Sequence, residues 1–504
     1  MNYARRILCL FLTVMAVLSC VACRNPQGAD EETSKIGLTT GTTQPEETEV
    51  EVSEKVLLKP ETKKYDREFK FMVDGNYFCY VPDDYQYGDG SVIDNAMYKR
   101  NLFMMDQFGT DVVYRDEGTS AYSMFSTAAL AGEYVCDSVL FVAQQSFKLL
   151  KQGLFSDLSR LKGLNLSASY WDQLIQSEYA IGDKVYFLEG DYTVYDELRT
   201  YVVLYNKRLY ESYQYYTKYG TLYDMVENHT WTLEAMLEMA NDMYSDENEN
   251  QVRDEQDQYG IIGALNLTWC AFLGSGMKII SNNNGNLTLM IKDSTFYERT
   301  YNILEDVMKI AVDEDVLIPQ LMQHPDIWTA ASDIFENNRA LFRATSLSAA
   351  TRLSNMSAKF GLVPIPAYSE EQGGYYGWVM GDCHTPLAVP FTAKDKETIA
   401  EILEAFCYYS RYLDYESLYS AFIEHFRIQK FCETDQDLEM LELIFASKIY
   451  DFDHSASITN IADEIWSMTK AQNYSSLASS LTSLRGMAQA KLDEFLLTMA
   501  KYDY

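Results

Sequence analysis

Residues 182–210 constrain the fold most strongly, because they join two β-rich runs through a polar, aromatic segment. Residues 184–188 form a short apolar run that predicts a buried strand, and residues 201–205 form a second run of β-branched and aromatic side chains. Gly190 predicts a turn between the two runs. Locally the pattern favours two strands of one sheet, and the alternative is a hinge that carries the chain from one lobe to another.

The rest of the chain indicates an α/β architecture with more than one lobe. Its 504 residues are too many for one ordinary core. Residues 68–73 and 112–114 predict strands on either side of a helix at 91–108, which is the pattern of an α/β lobe. Further strands are predicted at 138–142, 261–267, 277–280, 287–291, 341–344 and 360–364, and further helices at 121–131, 144–153, 232–243, 296–311 and 327–337. From residue 395 onward the pattern is helical, and the apolar residues of the last helix step by three or four.

The N-terminus resembles a lipoprotein signal. A basic start precedes an apolar stretch at residues 7–18 that is too short for a comfortable membrane span. The sequence L-S-C-V-A-C follows, and a small residue before Cys resembles the lipobox of bacterial lipoproteins. Cys20 fits the pattern better than Cys23, and both remain candidates for lipidation, with an ordinary secretory signal or an uncleaved anchor as the alternative. A diacylated Cys would anchor the mature chain on the outer face of the cell membrane.

Composition predicts a tether and limits the kinds of partner that the chain can bind. Residues 24–64, after the signal peptide and lipobox of residues 1–23, are rich in Thr, Glu, Gly and Pro and predict a disordered tether. A formal net charge of -33 disfavours nucleic acid and anionic membrane surfaces as partners, and favours a neutral or cationic ligand. The 39 Tyr residues combine a flat apolar face with a polar tip, which suits sugar faces and wet interfaces.

Nine short segments follow one another along the body of the chain. They are V-I-D-N-A-M-Y-K-R-N at 92–101, L-A-G-E-Y-V-C-D-S-V at 130–139, G-L-F-S-D-L-S at 153–159, Y-W-D at 170–172, G-D-K-V-Y-F at 182–187, L-Y-N-K-R-L at 204–209, H-T-W-T-L at 229–233, D-Q-Y-G at 257–260 and F-G-L-V-P-I-P at 360–366. In this order they closely resemble the extracellular solute-binding proteins of bacterial ABC transporters, in the carbohydrate-binding (family 1) branch of Gram-positive lipoproteins. The resemblance runs from about residue 65 to the C-terminus.

The resemblance implies a periplasmic-binding-protein-like α/β fold of type II, with two lobes, a multi-strand hinge and a ligand cleft between the lobes. The implied lobes are residues 65–190 plus 371–425 and residues 191–370 plus 426–504. The chain would cross between them before Asn206, through the aromatic loop at 375–378, and around residues 420–430. Hinge closure around a ligand would then present one closed face to a permease.

The function implied is capture of a carbohydrate, most naturally an oligosaccharide, by a monomer that delivers it to ABC-transporter permease subunits without covalent chemistry. Two alternatives remain: a secreted glycan-processing enzyme and a surface receptor on the same fold. The sequence contains no G-x-S-x-G, Walker A or H-E-x-x-H motif, so nothing local favours an enzyme or a required cofactor.

The ligand residues follow from position within the implied fold. In this family, cleft residues come from loops at strand ends and at the crossings between lobes, and sugars need aromatic faces and planar polar groups. The candidates are Phe141, Gln144, Tyr192, Arg199, Asn266, Trp269, Thr345, Ser346, Tyr376 and Trp378.

The sharpest local motif is D-E-N-E-N-Q-V-R-D-E-Q-D at residues 246–257. Oxygen ligands fall at the positions of an EF-hand-type calcium loop, in a form that resembles the dockerin variant. The predicted ligands are Asp246, Asn248, Asn250, Asp254 and Asp257, with the backbone carbonyl of Val252. Gln251 stands where the loop wants Gly, and two of the side chains are amides. The loop therefore predicts either a structural Ca²⁺ site or a solvated acidic loop.

Overall fold

The computed structural model describes residues 59–74, 92–241, 243–263, 266–312, 326–350, 353, 356–381, 383–413, 417–428 and 434–502. Cys20, Cys23 and the tether as far as residue 58 lie outside the described residues. Leu57–Tyr504 forms one compact unit. Of the helices in the described ranges, none combines the length and the apolar character needed to cross a membrane.

Strands and helices alternate along the described chain. The strands are β1 (Arg67–Val73), β2 (Thr110–Asp116), β3 (Ser138–Leu140), β4 (Tyr201–Asn206), β5 (Tyr259–Gly263), β6 (Ile280–Asn283), β7 (Asn286–Leu289), β8 (Ala340–Ser346), β9 (Phe360–Pro364), β10 (Gly377–Trp378), β11 (Leu387–Ala388) and β12 (Lys448–Ile449). The helices are Val92–Phe108, Ala121–Leu130, Ala143–Leu150, Gln173–Glu178, Tyr195–Leu198, Lys207–Ser212, Tyr215–Tyr219, Leu222–Glu227, Leu233–Asn241, Leu267–Gly274, Ser294–Ala311, Ile327–Glu336, Leu347–Ala350, Lys396–Tyr412, Leu418–Ile428, Asp435–Ala446, Phe452–Ala456, Ile461–Ala471 and Leu477–Met499.

Two four-stranded sheets organise these elements. The first has the order β11-β3-β1-β2, in which β1 runs parallel to β2 and β3, and β11 is antiparallel to β3. The second has the order β5-β8-β4-β9, in which β5 and β8 are parallel while β4 is antiparallel to both β8 and β9. Strands β6 and β7 form a separate hairpin, closed by a turn at Asn284 and Gly285 with positive φ at both residues.

Strand β1 shows why the first sheet is covered on both faces. Successive side chains of a strand point to opposite faces, so Phe69, Phe71 and Val73 lie on one face and Met72 on the other. All four are buried, and Met72 belongs to a different hydrophobic cluster from the other three. The ring centroid of Phe406, on the helix Lys396–Tyr412, lies 5.6 Å from that of Phe71. Hydrophobic side chains therefore cover both faces of β1, as expected of a largely parallel sheet.

The segments that join the two sheets pair with one another. Thr200, just before β4, forms an antiparallel bridge with Val379, just after β10. Strand β10 in turn pairs in parallel with β12, so that Trp378 lies opposite Ile449. We call residues 188–200, 377–387 and 448–450 the joint, since these three segments meet there between the sheets.

Most of the predicted elements are confirmed, with three exceptions, one of which is the strand predicted at 277–280, where only Ile280 belongs to β6. The predicted strands at 201–205 and 360–364 and the last helix are confirmed. Residues 184–188 are not a regular strand, and Leu188 makes only an isolated bridge with Leu387. Residues 261–267 do not form one strand either, because β5 ends at Gly263 and a helix starts at Leu267. All three errors arise because a short apolar run signals burial more reliably than strand pairing.

Candidate ligand-binding site

A cavity of about 350 Å³ lies where the second sheet meets the joint. Arg199 and Tyr201 border it from the end of the first crossing and the start of β4, and Met380 and Cys383 border it from the second crossing. Strand β8 contributes Arg343, Thr345 and Ser346, and the next residues add Ser348, Ala349 and Leu353. Pairing of Tyr201 with Ser346 brings these two strand ends together. The cavity thus touches two of the three segments of the joint.

The helix Ile327–Glu336 closes another side of the cavity. Its apolar residues Ile327, Ala330, Ala331, Ile334 and Phe335 are buried. Its opposite side places Trp328, Thr329, Ser332 and Glu336 along the cavity, at the spacing of a helix face. Trp328 is 41% exposed, which leaves much of its indole face open to solvent. The lining therefore combines an open aromatic ring with hydroxyl groups, the combination that suits a sugar.

Arg199 is held rigidly at the cavity wall. Its Nη1 donates to Ser348 Oγ at 3.4 Å, and its Nη2 donates to the hydroxyl of Tyr195. The guanidinium carbon also lies 4.5 Å from the centroid of the Tyr195 ring, a cation–π contact. The backbone carbonyl of Arg199 accepts a hydrogen bond from Met380 N at 3.3 Å. Arg199 consequently links the first crossing, the second crossing and the helix Leu347–Ala350.

Three of the ten predicted ligand residues line this cavity: Arg199, Thr345 and Ser346. Trp378 lies behind Tyr201, which is a lining residue. Its indole stacks on the Tyr201 ring, with 5.7 Å between the ring centroids. Trp378 itself is fully buried, and its Nε1 has no hydrogen-bond partner among the described residues. Tyr376 is half-buried and packs beside Gly276, where an added Cβ would lie 2.8 Å from the tyrosine ring.

The other predicted ligand residues lie elsewhere. Phe141 is fully buried and meets Phe125 edge-on at 5.6 Å, and Tyr192 is buried with its hydroxyl 3.5 Å from Leu188 O. Gln144 is half-buried and lies 2.9 Å from His454 Nε2. Asn266 is buried at the start of the helix Leu267–Gly274, and in that helix Trp269 donates its indole N–H to Asp451 Oδ2 at 2.9 Å. Their role in ligand binding stays a prediction.

Several lining residues that were not among the predicted ligand residues have a recognisable signal in the sequence. Arg343 is the clearest, since a charged residue in the middle of the apolar strand A-L-F-R-A-T-S needs a partner or a function. Trp328 lies in a helix whose apolar residues predict the buried face and not the face along the cavity. Ser348 follows directly after the predicted Thr345 and Ser346, so extending that loop would have included it.

A buried network of charged side chains lies at the joint. Lys448 Nζ is 2.6 Å from Asp196 Oδ2 and 2.7 Å from Asp172 Oδ2. The Tyr450 hydroxyl donates to Glu189 Oε2 at 2.9 Å, and Glu189 Oε1 is 2.5 Å from His384 Nδ1. These residues come from all three segments of the joint and from Asp172. The network links residues that are far apart in sequence, at the position where a hinge between the two sheets would move.

Burial and neighbouring charges shift the pKa values of the groups in this network in opposite directions. Burial tends to lower the pKa of Lys448, but the carboxylates of Asp196, Glu197 and Asp172 outweigh it and raise that pKa well above its usual value. Burial raises the pKa of Glu189, against the opposing effect of His384. Burial also acts to raise the pKa of Asp196, and Lys448 overcomes it to give a lowered pKa. Lys448 is therefore a firmly charged centre of the network.

In the loop at 246–257, side-chain oxygens accept hydrogen bonds from backbone N–H groups of the same loop. Asp246 accepts from Asn250 N at 3.2 Å and from Gln251 N at 2.8 Å, and Asn250 Oδ1 accepts from Val252 N at 2.7 Å. Gln251 takes the left-handed conformation for which the loop wants Gly, with φ of 60°.

The far end of the loop closes on Asp254 and Asp257. The carboxylate of Asp254 accepts from the side-chain amides of Asn248 and Asn250, and its backbone N–H donates to Asp257 Oδ2. In the described ranges no group of three or more His, Cys, Asp or Glu side chains is arranged to hold a metal ion. Calcium binding by this loop stays a prediction.

Comparison with known proteins bears on the fold. No protein-family model matches the chain, and no curated protein sequence matches it. Among solved structures, it is similar to a cyclo/maltodextrin-binding protein crystallised with maltotetraose, with a TM-score of 0.54, 12% identity, and coverage of 85% of this chain and 96% of that chain. At this identity the likeness shows the fold alone. The predicted fold is confirmed: the chain has the two-lobed α/β fold of the periplasmic-binding-protein type.

Proposed function

We propose that this protein is an extracellular solute-binding lipoprotein that captures an oligosaccharide and delivers it to the permease subunits of an ABC importer. The observation that carries the proposal is the cavity at the joint, where Trp328 offers an open ring beside the hydroxyls of Thr329, Ser332 and Ser348. The shared fold supports it, since the similar cyclo/maltodextrin-binding protein was crystallised with a sugar. Capture requires only binding and closure, so this chain is proposed to act without covalent chemistry.

Closure would follow from the position of the cavity. Arg199 and Met380 belong to segments that run between the sheets, so a ligand that contacts them can favour one arrangement of the joint over another. The proposed lipid anchor and tether would keep the body near the permease. The permease, the anchor and the monomeric state are parts of the proposal.

The experiment is a thermal-shift screen of the detergent-solubilised full chain against neutral and acidic oligosaccharides, followed by titration calorimetry. A ligand that binds only the folded state raises the melting temperature. Trp328→Ala is expected to weaken binding by about tenfold, or roughly 1.4 kcal/mol. Tyr216→Ala is the matched control, since Tyr216 is a 62% exposed aromatic residue outside the cavity lining.

Recovery of the sugar distinguishes capture from processing. An intact sugar after prolonged incubation supports a binding protein, whereas a cleaved sugar would replace the proposal with a glycan-processing enzyme. Equal affinities of Trp328→Ala and the unaltered chain would remove this cavity from the proposal.

A further inference from the structure

Another cavity, of about 310 Å³, contains no residue of the joint and shares no lining residue with the cavity described above. Three parts of the chain line it: the residue that follows the helix Ala143–Leu150, the segment 456–460, and the helix Leu477–Met499. Its volume is at the lower end of the range for small-molecule sites, roughly 300–1,000 Å³. We call it the second cavity.

Two lysines line the second cavity, and each binds a backbone carbonyl. Lys151 Nζ donates to Ala456 O at 3.1 Å, and Lys491 Nζ donates to Thr459 O at 3.3 Å. Both carbonyls belong to the segment 456–460, so the two ammonium groups approach the same short stretch of chain. In the part of the chain that the structure describes, neither lysine has a carboxylate within ion-pair distance. Each ammonium has three N–H donors, so two on each lysine remain for a ligand.

Lys151 is half-buried, and its charge is not balanced by a close anion. Burial lowers the pKa of Lys151, and the nearby charge of Lys148 lowers it further, against the opposing effect of Glu494. At Lys448, by contrast, neighbouring carboxylates outweigh burial and raise the pKa. An anion bound beside Lys151 would stabilise its ammonium in the same way.

Neutral side chains add hydrogen-bonding groups to the second cavity. Asn460 and Thr498 line it, and their side chains make no hydrogen bond with another described residue. Glu494, which is exposed, brings a single carboxylate to the described lining. The cations of the lining therefore outnumber its anions, and polar side chains lie beside them. This set suits an anion that accepts several hydrogen bonds at once.

We propose that the second cavity binds a dianionic phosphate group, held by the ammonium groups of Lys151 and Lys491. Phosphate suits the site better than a carboxylate, because it carries nearly two charges at pH 7 and offers more acceptor oxygens. The volume has room for a small phosphate monoester as well as for inorganic phosphate. In a chain with a net charge of -33, a pair of lysines without carboxylate partners is a distinct place for a dianion to bind. The inference does not depend on the proposed function.

The test titrates the detergent-solubilised full chain with inorganic phosphate and with glycerol 3-phosphate, by calorimetry in a phosphate-free buffer. We expect saturable binding at one site, at least tenfold tighter than the binding of acetate, and weaker at higher salt. An affinity for glycerol 3-phosphate at least tenfold above that for phosphate would identify an organic monoester as the ligand. Equal or tighter binding of inorganic phosphate would identify the free ion.

Charge variants locate the site, and an opposite effect is expected at Glu494. Lys151→Gln and Lys491→Gln should each weaken phosphate binding at least tenfold. Glu494→Gln should tighten it, because the substitution removes a like charge beside the anion. Lys162→Gln is the matched control, since Lys162 carries the same charge, is exposed and does not line the second cavity.

Chemical modification of the unaltered chain provides a second measurement, which still applies if a lysine variant does not fold. Bound phosphate should slow the acetylation of Lys151 and Lys491 by acetic anhydride several-fold and leave that of Lys162 unchanged. Mass spectrometry of the peptides measures the extent of reaction at each lysine.

The outcomes that would overturn the inference are distinct from those that test sugar capture. The absence of saturable binding of either phosphate compound at millimolar concentration would overturn it. Binding that is unchanged in both lysine variants, or weakened as much by Lys162→Gln, would remove phosphate from the second cavity. Neither result bears on sugar capture, which Trp328→Ala tests at the other cavity.

Discussion

The ammonium of Lys448 lies 2.6 Å from the carboxylate of Asp196 in the protein interior, and 252 residues separate the two in sequence. The side chains are 10% and 2% exposed, so water screens the pair little. Asp172 accepts from the same ammonium at 2.7 Å. One cation therefore offsets the buried carboxylate of Asp196 and the half-buried carboxylate of Asp172 at the place where the crossing segments meet.

Removing that cation should destabilise the fold strongly. Lys448→Met leaves the buried Asp196 and the half-buried Asp172 without this cation, which is expected to cost about 3–5 kcal/mol. Denaturant unfolding followed by circular dichroism measures the change. Lys309→Met is the matched control, because Lys309 is 51% exposed in its contacts with Glu305 and Asp306 and should change stability little. Similar effects of the two substitutions would contradict the central role of Lys448.

A second prediction concerns pH and Asp453. Burial, reinforced by the nearby charge of Asp451, raises the pKa of Asp453 from 3.8 to about 7. A carboxyl with a raised folded-state pKa contributes stability that is complete below its unfolded pKa and is lost as the pH rises through the folded value. Wild-type stability should therefore fall, on account of this group, between about pH 4 and pH 7.

Asp453→Asn removes that dependence while keeping the shape of the side chain. The variant should be nearly equal to the wild type in stability at pH 4 and more stable than it at pH 8, by on the order of 4 kcal/mol. Melting temperatures at the two pH values provide the measurement, with the exposed Asp333→Asn as control. A difference that does not change with pH would show that Asp453 is not the titrating group.

The β6–β7 hairpin supplies a third prediction. Gly285 has a φ of +87°, and a Cβ there would lie 1.7 Å from the carbonyl oxygen of Gly182. Gly285→Ala must therefore displace the hairpin or residue 182, and should cost several kcal/mol. Gly132→Ala is the control, since Gly132 also has a positive φ, of +77°, with nothing within 4 Å of the added Cβ. Gly132→Ala should lower the free energy of unfolding only by the cost of placing Ala in a left-handed conformation, about 1–2 kcal/mol. Equal losses would mean that the contact with Gly182 adds nothing.

The calcium prediction is tested at the 246–257 loop. Calcium added to chelator-treated protein should raise its melting temperature. At a calcium concentration of one hundred times Kd, the free energy of unfolding should rise by about 2.7 kcal/mol. Asp246→Ala should abolish the calcium-dependent shift. Glu255→Ala, at a loop position that supplies no ligand, should retain it. The absence of any shift or heat at millimolar calcium would identify the segment as a solvated acidic loop.

Lipidation is tested with a clickable palmitate analogue in cells that express the full chain. Cys20→Ser should abolish labelling and Cys23→Ser should leave it. The opposite pattern would move the anchor to Cys23. Labelling that persists in the double variant would contradict acylation at Cys20 or Cys23, and the absence of labelling in the unaltered chain would contradict a lipoprotein.

The sequence predicted the strands better than it predicted the site. The run at 201–205 becomes β4 because its apolar side chains are buried on both faces and β8 and β9 pair on either side. The run at 184–188 has a similar composition, yet only Leu188 finds a strand partner, in Leu387. Pairing depends on a segment two hundred residues away, which no local pattern contains.

The lining of the candidate cavity was predicted only in part for a comparable reason, and ligand binding by these residues stays a prediction. Arg199, Thr345 and Ser346 were found because they sit at strand ends next to a crossing, which position alone indicates. Trp269 and Trp378 were favoured for their chemistry, but both are fully buried, and Trp269 uses its indole N–H to hold Asp451. Whether a tryptophan faces a cavity or a core is decided by helix rotation and packing, which tertiary contacts fix.

The pairing of β11 with β3 has a consequence for synthesis. Leu387 and Ala388 complete an edge that begins at Ser138, so about 250 residues separate the two halves of one sheet. At roughly 5–20 residues per second, the edge of β3 stays open for about 10–50 s after it leaves the ribosome. An open strand edge is a template for aggregation. Nascent chains that stall before residue 387 should therefore be the ones that aggregate or that quality-control proteases remove.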